Sequence, residues 1–279
     1  MQPFRYHVGQ RDVQAQANSI ACADKLSTWV GPVTQYANEA DLIIMAAAQD
    51  DTLAVAAVSG PAPLVTAREH ASGNETVILV QLPTAMLSVL PIDAPLGGIV
   101  INPAAARRSR IGGQPRQGDD SVEIACDIAF TNCRKYMTPT QSLGDAVHVG
   151  AVAATPCALD DPWVVDTINA GETAFLVTTT PTGVADVSHR GGPPGFLRFD
   201  AAQRSIHWTE YLGDGMFVST GNLQQNSRFA LLVLEFATGD ALRLDVQARF
   251  SNVRRNRRER VERRARITSA DTTAVQHPQ

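Results

Sequence analysis

Ser188, His189 and Arg190 stand immediately before Gly191, Gly192, Pro193, Pro194 and Gly195. A hydroxyl, an imidazole and a permanent cation next to backbone N–H groups form a set suited to a phosphate monoester. Glycines let the backbone approach a ligand closely, and the two prolines stiffen the connection without donating an N–H. The same residues also fit an ordinary hairpin connection with polar decoration, because short glycine motifs are weak evidence without context.

These groups need elements to hold them. Ala174 to Thr180 is rich in β-branched and aromatic residues, and a second such run ends at Phe199, so the stretch reads as strand, turn, strand. Further upstream, Val13, Ala17, Ile20 and Ala21 recur at helical spacing within Gln10 to Leu26, and Pro32 opens a second helix. Both are expected to pack against a barrel. From Leu42 the pattern turns to strands, at Leu42 to Ala48, Thr52 to Val58, Thr76 to Gln81, Gly98 to Asn102, Ser109 to Gln114 and Ile124 to Thr131, with a short helix over Pro83 to Leu90. Pro139 to Pro162, rich in alanine, glycine and proline, reads as the connection between two domains. Asp160 or Asp161 then caps a helix that begins at Pro162 and stops at Gly171.

The length suits two domains, and 44% apolar residues with 6% aromatic is a globular composition. The longest apolar run, Phe229 to Leu234, is far short of the roughly 20 residues a membrane helix needs. The first dozen residues, with Arg5, His7, Arg11 and Asp12, lack the apolar centre of a secretory signal, so a cytoplasmic location is expected. Cys22, Cys126, Cys133 and Cys157 have no CxxC pair or histidine neighbour and read as reduced thiols. No metal-ligand cluster, P-loop, dinucleotide glycine motif or Ser-His-Asp arrangement can be argued from spacing, and no catalytic acid or base can be named.

Sliding the second half over the first at an offset of 133 aligns Ile44 with Val177, Pro61 with Pro194, Leu64 with Leu197, Val100 with Val233, Arg110 with Arg243 and Arg116 with Arg249. The order of elements repeats too, which predicts two copies of one mostly β unit. In this register Ser188, His189 and Arg190 fall on Val55, Ala56 and Ala57. A purely structural turn would not require that contrast, so one anionic-ligand site per chain is expected, built by the second copy and walled by the first.

The runs Ala185-Asp-Val-Ser-His-Arg-Gly-Gly-Pro-Pro-Gly-Phe-Leu-Arg-Phe199, Ile206-His-Trp-Thr-Glu-Tyr-Leu-Gly-Asp-Gly-Met-Phe217, Thr220-Gly-Asn-Leu223 and Phe229-Ala-Leu-Leu-Val-Leu-Glu-Phe236 resemble the pyridoxamine 5′-phosphate oxidase-related proteins with the FMN-binding split-barrel fold. Phe4 to Gln14 and Phe130 to Tyr136 resemble the opening and closing motifs of its tandem members. The resemblance implies a mainly β (α+β) fold with short helices: two tandem six-stranded split β-barrels, with FMN where two barrels meet. It divides the chain into a helical leader (1–38), a first barrel (39–138), a linker and helix (139–170), a second barrel with the FMN site (171–268) and a disordered tail (269–279). It implies an FMN-dependent oxidoreductase acting on a small molecule, with barrels paired within the chain or in a homodimer. The cofactor would be held by Ser188, His189, Arg190, Gly191 and Gly192, with Trp208 and Asn222 flanking it and Asn132 and Lys135 lining the site from the first copy. Trp208 fits a core tryptophan equally well, Asn222 a helix-terminal asparagine and Lys135 a solvated strand end. Asp214, between Gly213 and Gly215, would bring a negative charge near the phosphate. The alternative is a binding protein on the same fold, either without cofactor or holding haem through His7, His70 or His189.

Arg249 to Arg266 carries a formal charge of +7, leaving −11 for the rest of a chain whose net charge is −4. Without interleaved aromatic residues or a binding motif, this stretch reads as a solvated or self-paired surface rather than a nucleic-acid site. Part of it, Glu262 to Thr268, fits the family's last strand.

Overall fold

The computed structural model describes residues 4–49, 52–72, 75–117, 121–137, 148–149, 155–211, 213–256 and 260–275. Three helices, α1 (Val8–Gln16), α2 (Ile20–Leu26) and α3 (Val33–Asn38), precede β1 (Leu42–Gln49), β2 (Thr52–Ser59), β3 (Thr66–Ser72), β4 (Glu75–Gln81), β5 (Leu96–Asn102), β6 (Arg107–Gln117) and β7 (Val122–Thr131). Two short strands follow, β8 (His148–Val149) and β9 (Thr155–Pro156), then α4 (Pro162–Ala170). The second set is β10 (Thr173–Thr179), β11 (Ala185–Gly191), β12 (Leu197–Asp200), β13 (Ser205–Tyr211), α5 (Val218–Gln225), β14 (Arg228–Leu234), β15 (Ala241–Asn256) and β16 (Arg260–Val275).

Both sheets are antiparallel. The first runs β3-β4-β7-β6-β5-β1-β2, with β8 beyond β2, and the second runs β12-β13-β16-β15-β14-β10-β11, with β9 on β16. Matching β1 to β10 and so on in chain order, the two paths are the same. The β5–β6 register is copied as β14–β15: Ile99 faces Arg110 in the first copy, and Leu232 faces Arg243 in the second, each 133 residues on, while the pairs made by β1 and β10 are shifted by a few residues. The chain is therefore two copies of one mostly β unit. Leaving aside the two-residue β8 and β9, each sheet has seven strands, one more than the six expected, and in the first copy the addition is β3. Its centre, Arg68-Glu69-His70, carries no apolar alternation to reveal it.

Each sheet curls around its own core. Ile43 and Met45 of β1, Val58 of β2, Val80 of β4, Val100 of β5, Ile111 of β6 and Ile124 of β7 share one cluster, and Leu176, Phe199, Ile206, Trp208, Phe229 and Leu244 share the other. These are the insides of two split barrels. The alternate residues of β1, β2 and β5 (Leu42, Ile44, Val55, Ala57, Ile99) meet those of β10, β11 and β14 (Phe175, Val177, Val187, Leu232) in a third cluster between the barrels. Such strands are apolar on both faces, which explains why Leu42-Ile-Ile-Met-Ala-Ala-Ala48 and Phe229-Ala-Leu-Leu-Val-Leu234 are continuous rather than alternating. The chain thus pairs its own halves.

The leader forms helices as expected, with α1 and α2 separated at Asn18, whose φ is 55°. Asp161 caps α4 by accepting from Trp163 N at 2.8 Å. The expected helix over Pro83 to Leu90 is one 3-10 turn, Thr84–Met86. Most of the connection from 139 to 154 lies outside the described residues. At the end of the chain β16 pairs with β15 as far as Val275, so residues 269–275 are strand where a disordered tail was expected. The arginine-rich stretch forms the far part of this long ribbon, and residues 257–259 lie outside the described ones.

Burial in the first barrel pushes the Cys126 thiol up to about 12. The unfolded thiol ionises several units lower, so proton loss favours the unfolded chain across that window. Stability from this group is full below the unfolded value and falls as pH rises, by roughly 1.4 kcal/mol per pH unit. Urea unfolding at pH 8 and 10 should therefore show a steeper alkaline loss in the wild type than in Cys126→Val.

Candidate functional site

β11 lies at one end of the second sheet, bonded only to β10, and its outer side leans on β5 and β6 of the first barrel. Arg110 of β6 reaches Asp186 of β11 at 3.1 Å, with both side chains about nine-tenths buried. The equivalent arginine, Arg243, donates to the carbonyl of Leu53 on β2 at 2.6 Å. The barrels thus meet through two equivalent arginines, each reaching the second strand of the other copy. Arg110 meets a carboxylate of the other barrel, whereas Arg243 meets a backbone carbonyl there and pairs with Asp245 of its own strand at 2.8 Å. Burial raises the Asp186 pKa, and Arg110 and Arg190 oppose that rise.

Beside the Arg110–Asp186 pair a polar cleft opens between the barrels, with room, about 90 Å³, for a phosphate-sized group or several waters. The first barrel lines it with Ile99, Arg108, Arg110, Asn132, Cys133, Lys135 and Tyr136. The second contributes Ser188, His189, Arg190 and Gly191 of β11, Glu210 and Tyr211 of β13, and residues 213–219 at the start of α5. The Tyr136 and Tyr211 rings stack at 4.7 Å across the boundary. Val55 and Ala57 are buried in the apolar interface, but they are not the register counterparts of Ser188 and Arg190: Ile44 pairs with Ala57, whereas Val177, 133 residues after Ile44, pairs with Val187, so the offset of 133 does not hold along this strand.

Ser188 and Arg190 share one face of β11, as residues two apart on a strand must. Arg190 is bound on every nitrogen. Its Nε donates to Glu210 at 3.2 Å, one terminal nitrogen to Ser188 Oγ at 3.1 Å and the His189 carbonyl at 2.9 Å, and the other to Ser219 Oγ at 3.2 Å. A 3.0 Å ion pair to Glu210 completes the set. Glu210 is itself buried and accepts from Trp208 Nε1 at 3.0 Å. Four buried atoms of cleft-lining residues have no hydrogen-bond partner among the described residues: a terminal nitrogen of Arg108, Arg110 Nε, Asn132 Oδ1 and His189 Nε2. Burial, with Arg108 and Arg190 nearby, drives the His189 pKa well below its ordinary value, so the imidazole is neutral. Burial also lowers that of Arg108, an effect Cys133 and Asp214 oppose.

The residue-by-residue outcome is uneven. Ser188, His189, Arg190, Gly191, Asn132 and Lys135 do come together in this cleft. They sit on a strand and a strand end, not on the turn where the first three were expected. The glycines make room for protein: a Cβ on Gly191 would lie 2.1 Å from the Tyr136 carbonyl oxygen, and one on Gly192 2.8 Å from Phe196 Cβ. Trp208 and Asn222 do not line the cleft. Trp208 is in the second barrel's core, tilted against Phe229, and Asn222 binds His7 Nε2 at 2.7 Å, Gln10 at 3.0 Å and Thr178 at 3.0 Å. Asp214 does stand at the cleft, where it accepts from Asn132 Nδ2 at 3.2 Å and Met216 N at 3.0 Å. Its loop is braced by the leader, through Gln14 to the Met216 carbonyl and Ser19 to the Gly215 carbonyl. Arg108, Glu210 and Ser219 escaped sequence reading. The one cue to the first is that Arg108 and Arg110 share one face of a strand.

No family model matches the chain, and no curated protein does. Among solved structures it is similar to HutZ, a haem storage protein from Vibrio cholerae, with 13% identity over 40% of this chain and 94% of that one and a TM-score of 0.29. It is also similar to an FAD-binding protein from Mesorhizobium loti, with 10% identity over 44% and 99% and a TM-score of 0.30. An F420 reductase shows 12% identity over 38% and 94% and a TM-score of 0.28. By its own strand order, registers and cores, the chain is a tandem of two split β-barrels closed on each other beside one polar cleft.

Proposed function

We propose that the chain binds FMN in the inter-barrel cleft and serves as an FMN-dependent oxidoreductase for a small molecule. The observation that carries this reading is the convergence of Arg108 and Lys135 from the first copy and His189 from the second on one cleft that holds unpartnered buried polar atoms. Buried polar groups are normally satisfied, so orphaned ones around a cavity suit a ligand. The residues fit the anionic end of FMN: guanidinium groups and hydroxyls are suitable donors for a phosphate. Bound flavin would supply the electron chemistry, and the protein would supply position and electrostatics. Ile99, Met216 and Val218 offer apolar wall nearby. Because both barrels of the pair lie in one chain, the site does not need the homodimer that the resemblance implied. No helix among the described residues is long and apolar enough to cross a membrane, in keeping with the cytoplasmic location proposed from the sequence.

His189 favours a second reading. Its unpartnered Nε2 in the cleft is the nitrogen a haem iron would use, whereas His7 is tied to Asn222. Absorbance of the purified protein, before and after adding FMN or haemin, separates the possibilities. Flavin bands that stay with the protein through gel filtration are the expected result. A retained Soret band would favour haem, and retention of neither would favour a cofactor-free binding protein.

A further inference from the structure

We infer that the cleft's anion is held by Arg108 of the first barrel, and that Arg190, the arginine of the Ser-His-Arg-Gly-Gly run, is a positioning residue; the ligand group is a phosphate monoester dianion. This rests on reading the cleft as a ligand site, and it reverses the role that the glycine motif suggests for Arg190.

A guanidinium has five N–H donors on three nitrogens. All three nitrogens of Arg190 are committed to protein oxygens, and its charge is matched by Glu210 at 3.0 Å. A dianion arriving there would meet a carboxylate, 7% exposed in its side chain, that nothing moves aside. Pulling Arg190 toward the ligand would strip that buried carboxylate of its partner, which is costly. What Arg190 does accomplish is to fix Ser188 and Ser219, whose hydroxyls lie 2.5 Å apart at the cleft wall.

Arg108 is in the opposite state. It is 7% exposed, it donates from one terminal nitrogen to the Lys135 carbonyl at 3.1 Å, and its other terminal nitrogen is buried with no partner among the described residues. No carboxylate forms an ion pair with it there. The Cys133 side chain hydrogen-bonds Arg108 and supports its charge most, and Asp214, next in effect, has one oxygen on Asn132 and the other on Met216 N. A buried cation without a counter-ion is an expensive arrangement unless an anion completes it. His189 Nε2, also unpartnered and kept neutral by burial and then by the two arginines, lines the same space, as does Lys135. The backbone holds the set together, because Asn132 N donates to the Arg108 carbonyl at 3.1 Å. Two cations, one spare donor and a neutral imidazole suit a small dianion better than a carboxylate.

The test uses the full chain and three probes: FMN, riboflavin and inorganic phosphate. Wild type should bind FMN more tightly than riboflavin, with inorganic phosphate competing. Arg108→Gln should weaken FMN roughly ten- to hundredfold toward the riboflavin value and abolish the competition. Because it removes an uncompensated buried charge, its melting temperature should not fall. Arg108→Lys should recover part of the phosphate competition, which a purely structural residue would not do. Arg190→Lys, assayed at a temperature where it is folded, should keep FMN affinity within about threefold of wild type. Unchanged FMN and phosphate binding in Arg108→Gln overturns the inference, as does loss of phosphate competition in folded Arg190→Lys. If FMN does not bind but phosphate does, and Arg108→Gln abolishes that binding, the inference stands and the flavin reading falls.

Discussion

Arg190→Met is expected to lower the stability of the fold by about 3–5 kcal/mol, the usual consequence of removing one partner from a buried ion pair. Glu210 is 7% exposed and Arg190 14%, so water cannot take over the missing contact cheaply. The loss extends beyond the pair. Ser188, Ser219 and the His189 carbonyl each lose a donor, and Glu210 keeps Trp208 Nε1 and the charge of the buried Arg263. Making the change together with Glu210→Leu should recover part of the stability, because no carboxylate is then left without its arginine, although the buried Arg263 loses the charge of Glu210. Urea midpoints for the two variants check this. A single-variant loss below about 1 kcal/mol would mean that Arg190 is held loosely enough to turn toward a ligand.

Gly97→Val should be of comparable size, about 3 kcal/mol, and should also spoil the cleft. Gly97 sits on β5 opposite Ala46 and Gly112, where β5 presses on β11. A Cβ there would lie 1.9 Å from the Ala185 carbonyl oxygen and 2.7 Å from its carbon, both backbone atoms of the other barrel. Neither can swing away, so the halves must separate. Gly98 is the control: its Cβ would first meet the Met45 sulfur, part of a flexible side chain, although the Ile44 carbonyl oxygen at 2.5 Å also limits the room. Gly98→Ala should therefore cost less than Gly97→Val and leave ligand binding closer to wild type. Thermal melts and FMN titrations of both variants make the comparison.

How much of this was legible in the sequence differs from place to place. The apolar runs of β1, β10 and β14 announced strands, and Arg110 with Arg243 announced the duplication, because a strand pair keeps its register when it is copied. The runs did not reveal that their second face is buried by the other copy, since periodicity cannot distinguish a sheet covered by helices from one covered by its twin. β3 was hidden by its polar centre. The end of β16 was hidden because Ser269 to Val275 has the composition of a tail and becomes a strand only by pairing with β15. At the site, Ser188, His189 and Arg190 stood out through contrast with Val55, Ala56 and Ala57, although the strand register does not keep that alignment. Arg108 and Glu210 did not, because an arginine or glutamate in an alternating strand usually faces water, and only the packing of one barrel on the other buries them. Trp208 illustrates the converse: the motif drew attention to it, and the structure uses it to fill a core and to hold Glu210.

The central claim is that the cleft between the barrels is an FMN site. Titrating FMN with the wild-type chain while following flavin fluorescence, with riboflavin in parallel, tests it most directly. The account predicts saturable change with FMN, weaker binding of riboflavin and reversal by inorganic phosphate. No change in FMN fluorescence or anisotropy up to high micromolar protein would contradict it.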